Sequence, residues 1–415
     1  MNVKNRFTMP TAAICIALAL SACGSRAGEE DTAAAESCVD TSGDTIKAGA
    51  VNSLSGATAV NETVIRDAIV MATEEINASG GVLGKQIDLV TADGASDPAT
   101  YAEKAQQLVA QDCVAAVFGG YTSASRKAML PIFESTDSLL FYGQQYEGLE
   151  ASENIFYTGA TTNQQIIPAL DYLKEQGIKT LYLVGSDYVF PRTTNSIVKA
   201  YAEANGMEVV GEDYVPLGGT DFSTIANKMK GSDADAVFNT VVGDSLVAFF
   251  NAYSSVGLDA DSMPVMSMCV GEEEVKSIGP ANLVGQLAAW DYFQSLDTPE
   301  NQTFVAAFNG KYGADRVTSD PMEAAYTGVY LWKALVEKAQ SFDTSDIQAA
   351  ADGTTVISPE GTVTVDGDNN HVTKTARIGK SNADGQFDIV WESDGPIDPD
   401  PFLETYEWAG SVQGG

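Results

Sequence analysis

Ile46-Lys47-Ala48-Gly49-Ala50-Val51, the break Ser53-Leu54-Ser55-Gly56 and the stretch from Thr63 to Ser79 together decide the fold class. The first is a short β-rich run. The last places Val64, Ala68, Met71, Ala72 and Ile76 near helical spacing, and Gly80-Gly81 stop it. Ile87-Asp88-Leu89-Val90 then predicts a second strand, 99–111 a second helix, and Val114-Ala115-Ala116-Val117-Phe118 a third strand. A helix over 123–135 and short strands at Leu139-Leu140-Phe141 and Ile155-Phe156-Tyr157 follow. The alternation restarts with helices expected over 164–176, 192–204, 221–230 and 244–256, separated by strands at 180–185, 207–214, 235–240, 265–267 and 287–292. Strand–helix alternation implies parallel sheets covered by helices on both faces. The 415 residues exceed one ordinary core, so the expected class is α/β with two doubly wound parallel-sheet lobes. Such sheets bind ligands beyond the carboxyl ends of their strands, and two facing lobes make a cleft. Two helical stretches, 300–312 and 321–340, come next, and 363–391 alternates apolar and polar residues as antiparallel strands do.

The charge excludes several functions. With 57 acidic against 23 basic side chains, a formal charge of -34 and no basic cluster, the chain repels a phosphate backbone, and nucleic acid is not an expected partner. The single histidine, His371, rules out a multi-histidine zinc site and leaves no imidazole-based acid–base pair. Gly80 to Lys85 misses the phosphate-loop spacing. Ser196-Ile197-Val198-Lys199 lacks the partner motifs of penicillin-binding enzymes. Glu272-Glu273-Glu274 has no EF-hand spacing around it and reads as a solvated helix start. No catalytic residue, metal or cofactor is expected, and the chain reads as a binding protein rather than an enzyme.

Lys4 and Arg6 precede the apolar stretch 12–20, which runs into Leu20-Ser21-Ala22-Cys23. A basic start, a short apolar run and small residues before a break describe a secretory signal, too short to span a bilayer. Leu-Ser-Ala-Cys also resembles the bacterial lipobox, so 1–22 is expected to be the signal, Cys23 the lipidated first residue and 23–44 a tether. The protein is then extracytoplasmic and anchored to the cell membrane. Cys38, Cys113 and Cys269 remain in an oxidising compartment. Cys38 precedes one predicted strand and Cys113 another, so a Cys38–Cys113 disulfide is the expected pairing, against three unpaired thiols.

Four segments put polar and aromatic residues where a predicted strand gives way to a helix. They are Gly119 to Lys127, Tyr142 to Gly148, Gly185 to Arg192 and Gly243-Asp244-Ser245. Hydroxyls and free amides at a helix N-terminus suit an oxygen acceptor. Taken singly, Ser123, Asp187 or Asp244 is more often a helix N-cap, and Tyr142 or Phe190 more often packing. Four such segments together favour a binding site, since caps need no aromatic beside them.

These segments also carry a family resemblance. Tyr121-Thr122-Ser123 with Ser125-Arg126-Lys127, Gln145-Tyr146-Glu147-Gly148, and Gly185-Ser186-Asp187-Tyr188 with Phe190-Pro191-Arg192 match it. So do Ser319-Asp320-Pro321-Met322-Glu323-Ala324-Ala325-Tyr326 and Asn370-His371 with Arg377-Ile378-Gly379. From Ile46 to Trp391 the chain resembles the type I periplasmic-type solute-binding proteins of the branched-chain amino acid and amide group, and within it those of urea ABC transporters.

The resemblance implies two lobes joined by three crossovers, near 158–161, 289–293 and 356–360. Lobe 1 is then 45–159 plus 294–356, lobe 2 is 160–293 plus 357–408, and 409–415 is a tail. It implies urea as ligand, with a short-chain amide, a branched-chain amino acid or an amide-sensing regulator as alternatives, and an ABC permease and ATPase as partners. Tyr121, Thr122, Ser123, Tyr142, Gln144, Tyr188, Phe190, Asp244 and Glu273 are the expected ligand-binding residues. Ser123 and nearby amides would donate to the carbonyl of urea, Asp244 and a glutamate of 272–274 would accept from its NH2 groups, and the aromatics would sandwich its plane. Arg126 and Arg192 are assigned to structural hydrogen bonds.

Overall fold

Alternate residues of the first strand face opposite sides of a sheet, and both sides are covered. In a computed structural model describing residues 38–412, β1 (Thr45–Asn52) turns Ile46, Ala48 and Ala50 into one apolar core and Val51 into another. The chain continues through α1 (Ala59–Ala78), β2 (Gln86–Asp93), α2 (Pro98–Ala110), β3 (Val117–Gly119), α3 (Ser123–Ser135), β4 (Leu140–Tyr142) and β5 (Ile155–Tyr157). It then crosses to a second set. That set is α4 (Thr162–Glu175), β6 (Thr180–Ser186), α5 (Val189–Asn205), β7 (Glu208–Val215), α6 (Ser223–Gly231), β8 (Ala236–Thr240), α7 (Ser245–Ser255), β9 (Val265–Ser267), α8 (Glu272–Ile278) and β10 (Leu287–Trp290). Helices α9 (Pro299–Tyr312), α10 (Asp320–Ala339) and α11 (Thr344–Ala349) return to the first lobe, where Phe304, Phe308 and Trp332 join the core of β1. Strands β11 (Thr355–Ser358), β12 (Gly361–Asp366), β13 (His371–Val372), β14 (Arg377–Ser381) and β15 (Phe387–Glu392) complete the fold.

Eight strands form the first sheet in the order β11-β12-β13-β5-β4-β3-β1-β2, and seven form the second as β15-β14-β10-β9-β8-β6-β7. From β2 to β5 and from β7 to β10 neighbouring strands are parallel, and the later strands add antiparallel edges. In the second lobe Tyr182, Val184 and Val237 face Phe249 and Phe250, whereas Leu181, Leu183 and Phe238 face Ile166, Leu170 and Ile197. Two α/β lobes with helices on both sheet faces are therefore present.

The chain changes lobe at 158–161, between β10 and α9, and between β13 and β14. The third crossing corrects the boundary expected from sequence. Strands β12 and β13 pair within the first sheet, His371 opposite Tyr157, so 361–372 belongs to lobe 1 rather than lobe 2. The supposed tail also begins with structure. A 3-10 helix over Glu407–Ser411 packs on α5, with Trp408 edge-on to Tyr201 at 5.7 Å. Cys38 and Cys113 are disulfide-bonded with their Cα atoms 5.3 Å apart, pinning the segment before β1 to the loop before β3; Cys269 is free and buried. The leader and Cys23 lie outside the described residues. No described helix is long and apolar enough to cross a membrane.

Candidate functional site

Strand ends of both sheets meet in one small cavity. Tyr121 and Ser123 follow β3, Gln144 and Gln145 follow β4, Tyr188 and Phe190 follow β6, Val242 follows β8, and Cys269 follows β9. These residues enclose about 10 Å3, room for about one water. The β3–α3 turn is shaped by Gly119, whose φ is +114° and where a Cβ would stand 2.3 Å from the Val51 carbonyl oxygen.

Beneath the cavity lies a buried ion network. The Arg126 guanidinium donates through Nε to Glu150 at 2.6 Å and through Nη2 to Glu147 at 3.3 Å, and it stacks on Tyr146 with 4.4 Å to the ring centre. Ser123 accepts from Arg126 at 3.1 Å and donates its own proton to Glu147. Its hydroxyl donor is thus consumed, contrary to the role expected for it toward a solute carbonyl. Burial opposes ionisation of Glu150, yet Arg126 and Lys127 hold its carboxyl below the usual range. His371, the lone imidazole, stacks on Tyr157 at 4.1 Å, and burial pushes it down to about 3, so it stays neutral and structural.

Several cavity groups retain capacity for a guest. Gln144 donates to Gln145, but its own Oε1 is buried and unpartnered. Gln145 donates across the gap to the Met268 carbonyl at 3.1 Å and to the Cys269 sulfur at 3.4 Å. Among the described residues the hydroxyls of Tyr121 and Tyr188 have no hydrogen-bond partner, and burial raises the pKa of both. They are donors at the pH of any ordinary buffer.

Of the residues expected at the site, the structure brings together Tyr121, Ser123, Gln144, Tyr188 and Phe190. Thr122 is instead the N-cap of α3, accepting from the Ser125 amide at 3.1 Å. Tyr142 is fully buried and spends its hydroxyl on the Tyr121 carbonyl at 2.7 Å. It supports the pocket without lining it. Asp244 is exposed and lines a separate rim depression of about 50 Å3 with Val60, Asn61, Glu273 and Glu274. Glu273 is largely buried, which raises its pKa against the opposing charges of Arg316 and Lys276, and one of its oxygens has no partner. Glu274 lines the same depression rather than the cavity, its oxygens accepting from Asn61 and from the Gly271 amide; its charge nevertheless acts on Tyr121 and Cys269, and burial pushes its carboxyl up to about 7. Arg126 and Arg192 are held by carboxylates, the latter by Asp187 at 2.6 Å.

Glu274 also joins the lobes, because Asn61 of α1 donates to it. Beside this contact, Gly243 has φ +63°, and a Cβ there would stand 2.9 Å from the Ala57 carbonyl oxygen of the other lobe. The lobes are therefore seen closed, held by Asn61–Glu274 at the rim and Gln145–Met268 at the hinge side.

A model of the periplasmic binding protein domain matches residues 46–407. A Leu/Ile/Val-binding protein homolog of Brucella suis is 28% identical over 286 residues, 67% of this chain and 73% of that protein. A shorter segment of 126 residues is 37% identical to limonene hydroxylase of Geobacillus stearothermophilus, covering 30% of this chain and 23% of that protein. Among solved structures, a solute-binding protein of an R. palustris ABC transporter, in complex with 4-hydroxybenzoate, superposes with a TM-score of 0.77 at 27% identity, covering 84% of this chain and 96% of that one. With the matched span taking in both lobes and the cavity between them, the chain belongs to the periplasmic binding protein family and is a solute-binding protein of ABC transporters.

Proposed function

We propose that the solute is urea, delivered to a membrane permease by a receptor anchored through lipid at Cys23. The cavity carries this reading. With room for about one water it admits only a very small solute once its side chains give way, and its described lining offers neutral donors and acceptors and no cation. Urea has one carbonyl acceptor and two NH2 groups. Tyr121, Tyr188 and the first amides of α3 suit the carbonyl, and Gln144 Oε1 suits an NH2 group, while Phe190 covers the plane. A leucine or benzoate carboxylate would want a cation, and the buried Arg126 is already shared between Glu147 and Glu150. Branched-chain amino acids remain the second reading, favoured by the likeness to the Leu/Ile/Val-binding protein homolog of Brucella suis. Calorimetry of the purified protein against urea, acetamide, leucine and 4-hydroxybenzoate tests the choice. Urea is expected to give a saturable heat that leucine does not reproduce, and leucine binding without a urea response overturns the assignment.

Closure is the transport-competent event, because only contacts better in the closed form shift the population toward it. Gly243→Val places a side chain against the Ala57 carbonyl in the closed form only. Overpacking of this kind costs about 1–3 kcal/mol, so urea affinity should fall roughly tenfold or more by calorimetry. Unchanged affinity would mean that this contact is not part of the bound state.

A further inference from the structure

Away from the cleft, the crossovers converge on a buried group of carboxylates. Asp291 follows β10, Asp320 opens α10, and Glu360 sits in the β11–β12 turn; one oxygen from each lies within 4.8 Å of the others, and all three residues are buried. Glu323, one turn along α10, is buried beside them, facing the Glu360 amide.

The protein fixes one oxygen of three of these groups and leaves the other bare. Asp320 Oδ2 accepts from the amides of Asp291 and Tyr292 at 3.0 and 2.9 Å. Glu360 Oε1 accepts from Lys374 Nζ at 2.7 Å, and Glu323 Oε1 accepts from the Thr327 hydroxyl at 2.7 Å. Asp320 Oδ1, Glu360 Oε2, Glu323 Oε2 and both oxygens of Asp291 are buried with no partner. Among the described residues Lys374 is the one cation bonded to a carboxylate of this group. Arg377 spends its Nη donors on backbone carbonyls, including those of Asp291 and Glu360, and its Nε on Glu392. Excess buried negative charge of this kind costs several kcal/mol per ion unless something neutralises it.

We propose that Asp291, Asp320 and Glu360 bind a divalent cation of the calcium type, with Glu323 completing the oxygen set. Every donor is a hard oxygen, which selects calcium or magnesium over zinc. Buried carboxylate oxygens mutually within 4.8 Å can converge on one cation at calcium–oxygen distances of about 2.3–2.6 Å, and calcium tolerates the irregular geometry of side chains from three separate elements. The backbone amides on Asp320 orient that ligand, as outer partners of metal carboxylates do, and the Lys374 ammonium, whose charge acts on all four carboxylates, offsets only part of their charge. Such an ion would tie the second crossover to the β11–β12 turn and, through Lys374, to the third, independently of which solute the cleft takes.

The test uses the chelator-treated protein without solute. Calcium at about 100 times its dissociation constant should raise the melting temperature by roughly 5 °C over protein in EDTA. Terbium, placed beside Tyr292, should give sensitised emission that saturates at one equivalent and is displaced by calcium. Asp291→Asn should abolish both responses while leaving the solute response of the cleft in place. A wild-type protein with no calcium shift and no terbium emission overturns the site, the cluster then being neutralised by protons. Equal calcium responses in wild type and Asp291→Asn overturn it too, since the ion would then be held by the acidic surface.

Discussion

Replacing Arg126 by methionine should lower the unfolding free energy by about 3–5 kcal/mol, because it strips the counter-charge from two carboxylates that stay buried. The side chains of Arg126, Glu147 and Glu150 are 0%, 2% and 8% exposed. Without the guanidinium, Glu147 keeps only the Ser123 hydroxyl among its side-chain partners. Glu150 keeps the Tyr157 hydroxyl and the half-exposed Lys127 at 3.3 Å. The stacks on Tyr142 and Tyr146 go as well, and with them the packing under the cavity floor. Denaturant melts of wild type and Arg126→Met measure the loss, and a change below about 1 kcal/mol would refute the buried-network account. A triple variant, Arg126→Met with Glu147→Leu and Glu150→Leu, should recover most of it, since removing the whole network leaves no orphaned charge. The acid limb offers a second readout. Glu150 titrates below its unfolded value, so its share of the stability is complete above the ordinary glutamate range and is lost as pH falls through its lowered folded value. Arg126→Met should lack that component.

The layered fold was legible because periodicity reports burial directly. Ile46, Ala48 and Ala50 against Val51, followed by helical spacing, leave little choice but a strand covered on both faces. The third crossing was hidden for the same reason. Strands β12 and β13 alternate in either lobe, and alternation says which face is buried, not which sheet edge receives the strand. At the site, residues at strand ends were visible as polar and aromatic punctuation, whereas Val242 and Cys269 look like any other apolar residues. Asp244 carried a capping and a binding reading together, and the fold uses it for neither: it makes no side-chain cap bond and stands at the rim. The carboxylates Asp291, Asp320 and Glu360 are far apart in the chain, so no local pattern could join them.

Glu274 illustrates the remaining gap and yields the second large effect. Successive residues of a helix point about 100° apart, so in Glu272-Glu273-Glu274 each carboxylate faces somewhere different. Glu272 accepts from the Gln294 amide, Glu273 keeps a buried oxygen without a partner, and Glu274 accepts from Asn61 and the Gly271 amide. Seven residues give too little periodicity to phase such a helix from sequence alone. Glu274→Leu should therefore weaken urea binding by roughly 10- to 100-fold, the worth of a charge-assisted hydrogen bond in a closed site, without lowering the melting temperature of the solute-free protein. Stability should change little because the lost bonds to Asn61 and the Gly271 amide are offset by removing a carboxyl that is costly to ionise where it stands. Burial raises it to about 7, so the folded state retains a proton that the unfolded chain releases above about 4.5, and ionising the buried group subtracts stability as pH rises between those values. Binding runs the other way. The carboxylate accepts from Asn61 of the other lobe more strongly than the acid does and so favours the closed, binding form; urea affinity should fall by up to about tenfold as pH is lowered from 8 to 6, and Glu274→Gln should flatten that dependence. Calorimetry at the two pH values checks both. A pH-independent wild-type affinity, or a Glu274→Leu protein that binds urea as well as wild type, would show that the Asn61–Glu274 link contributes nothing to the bound state.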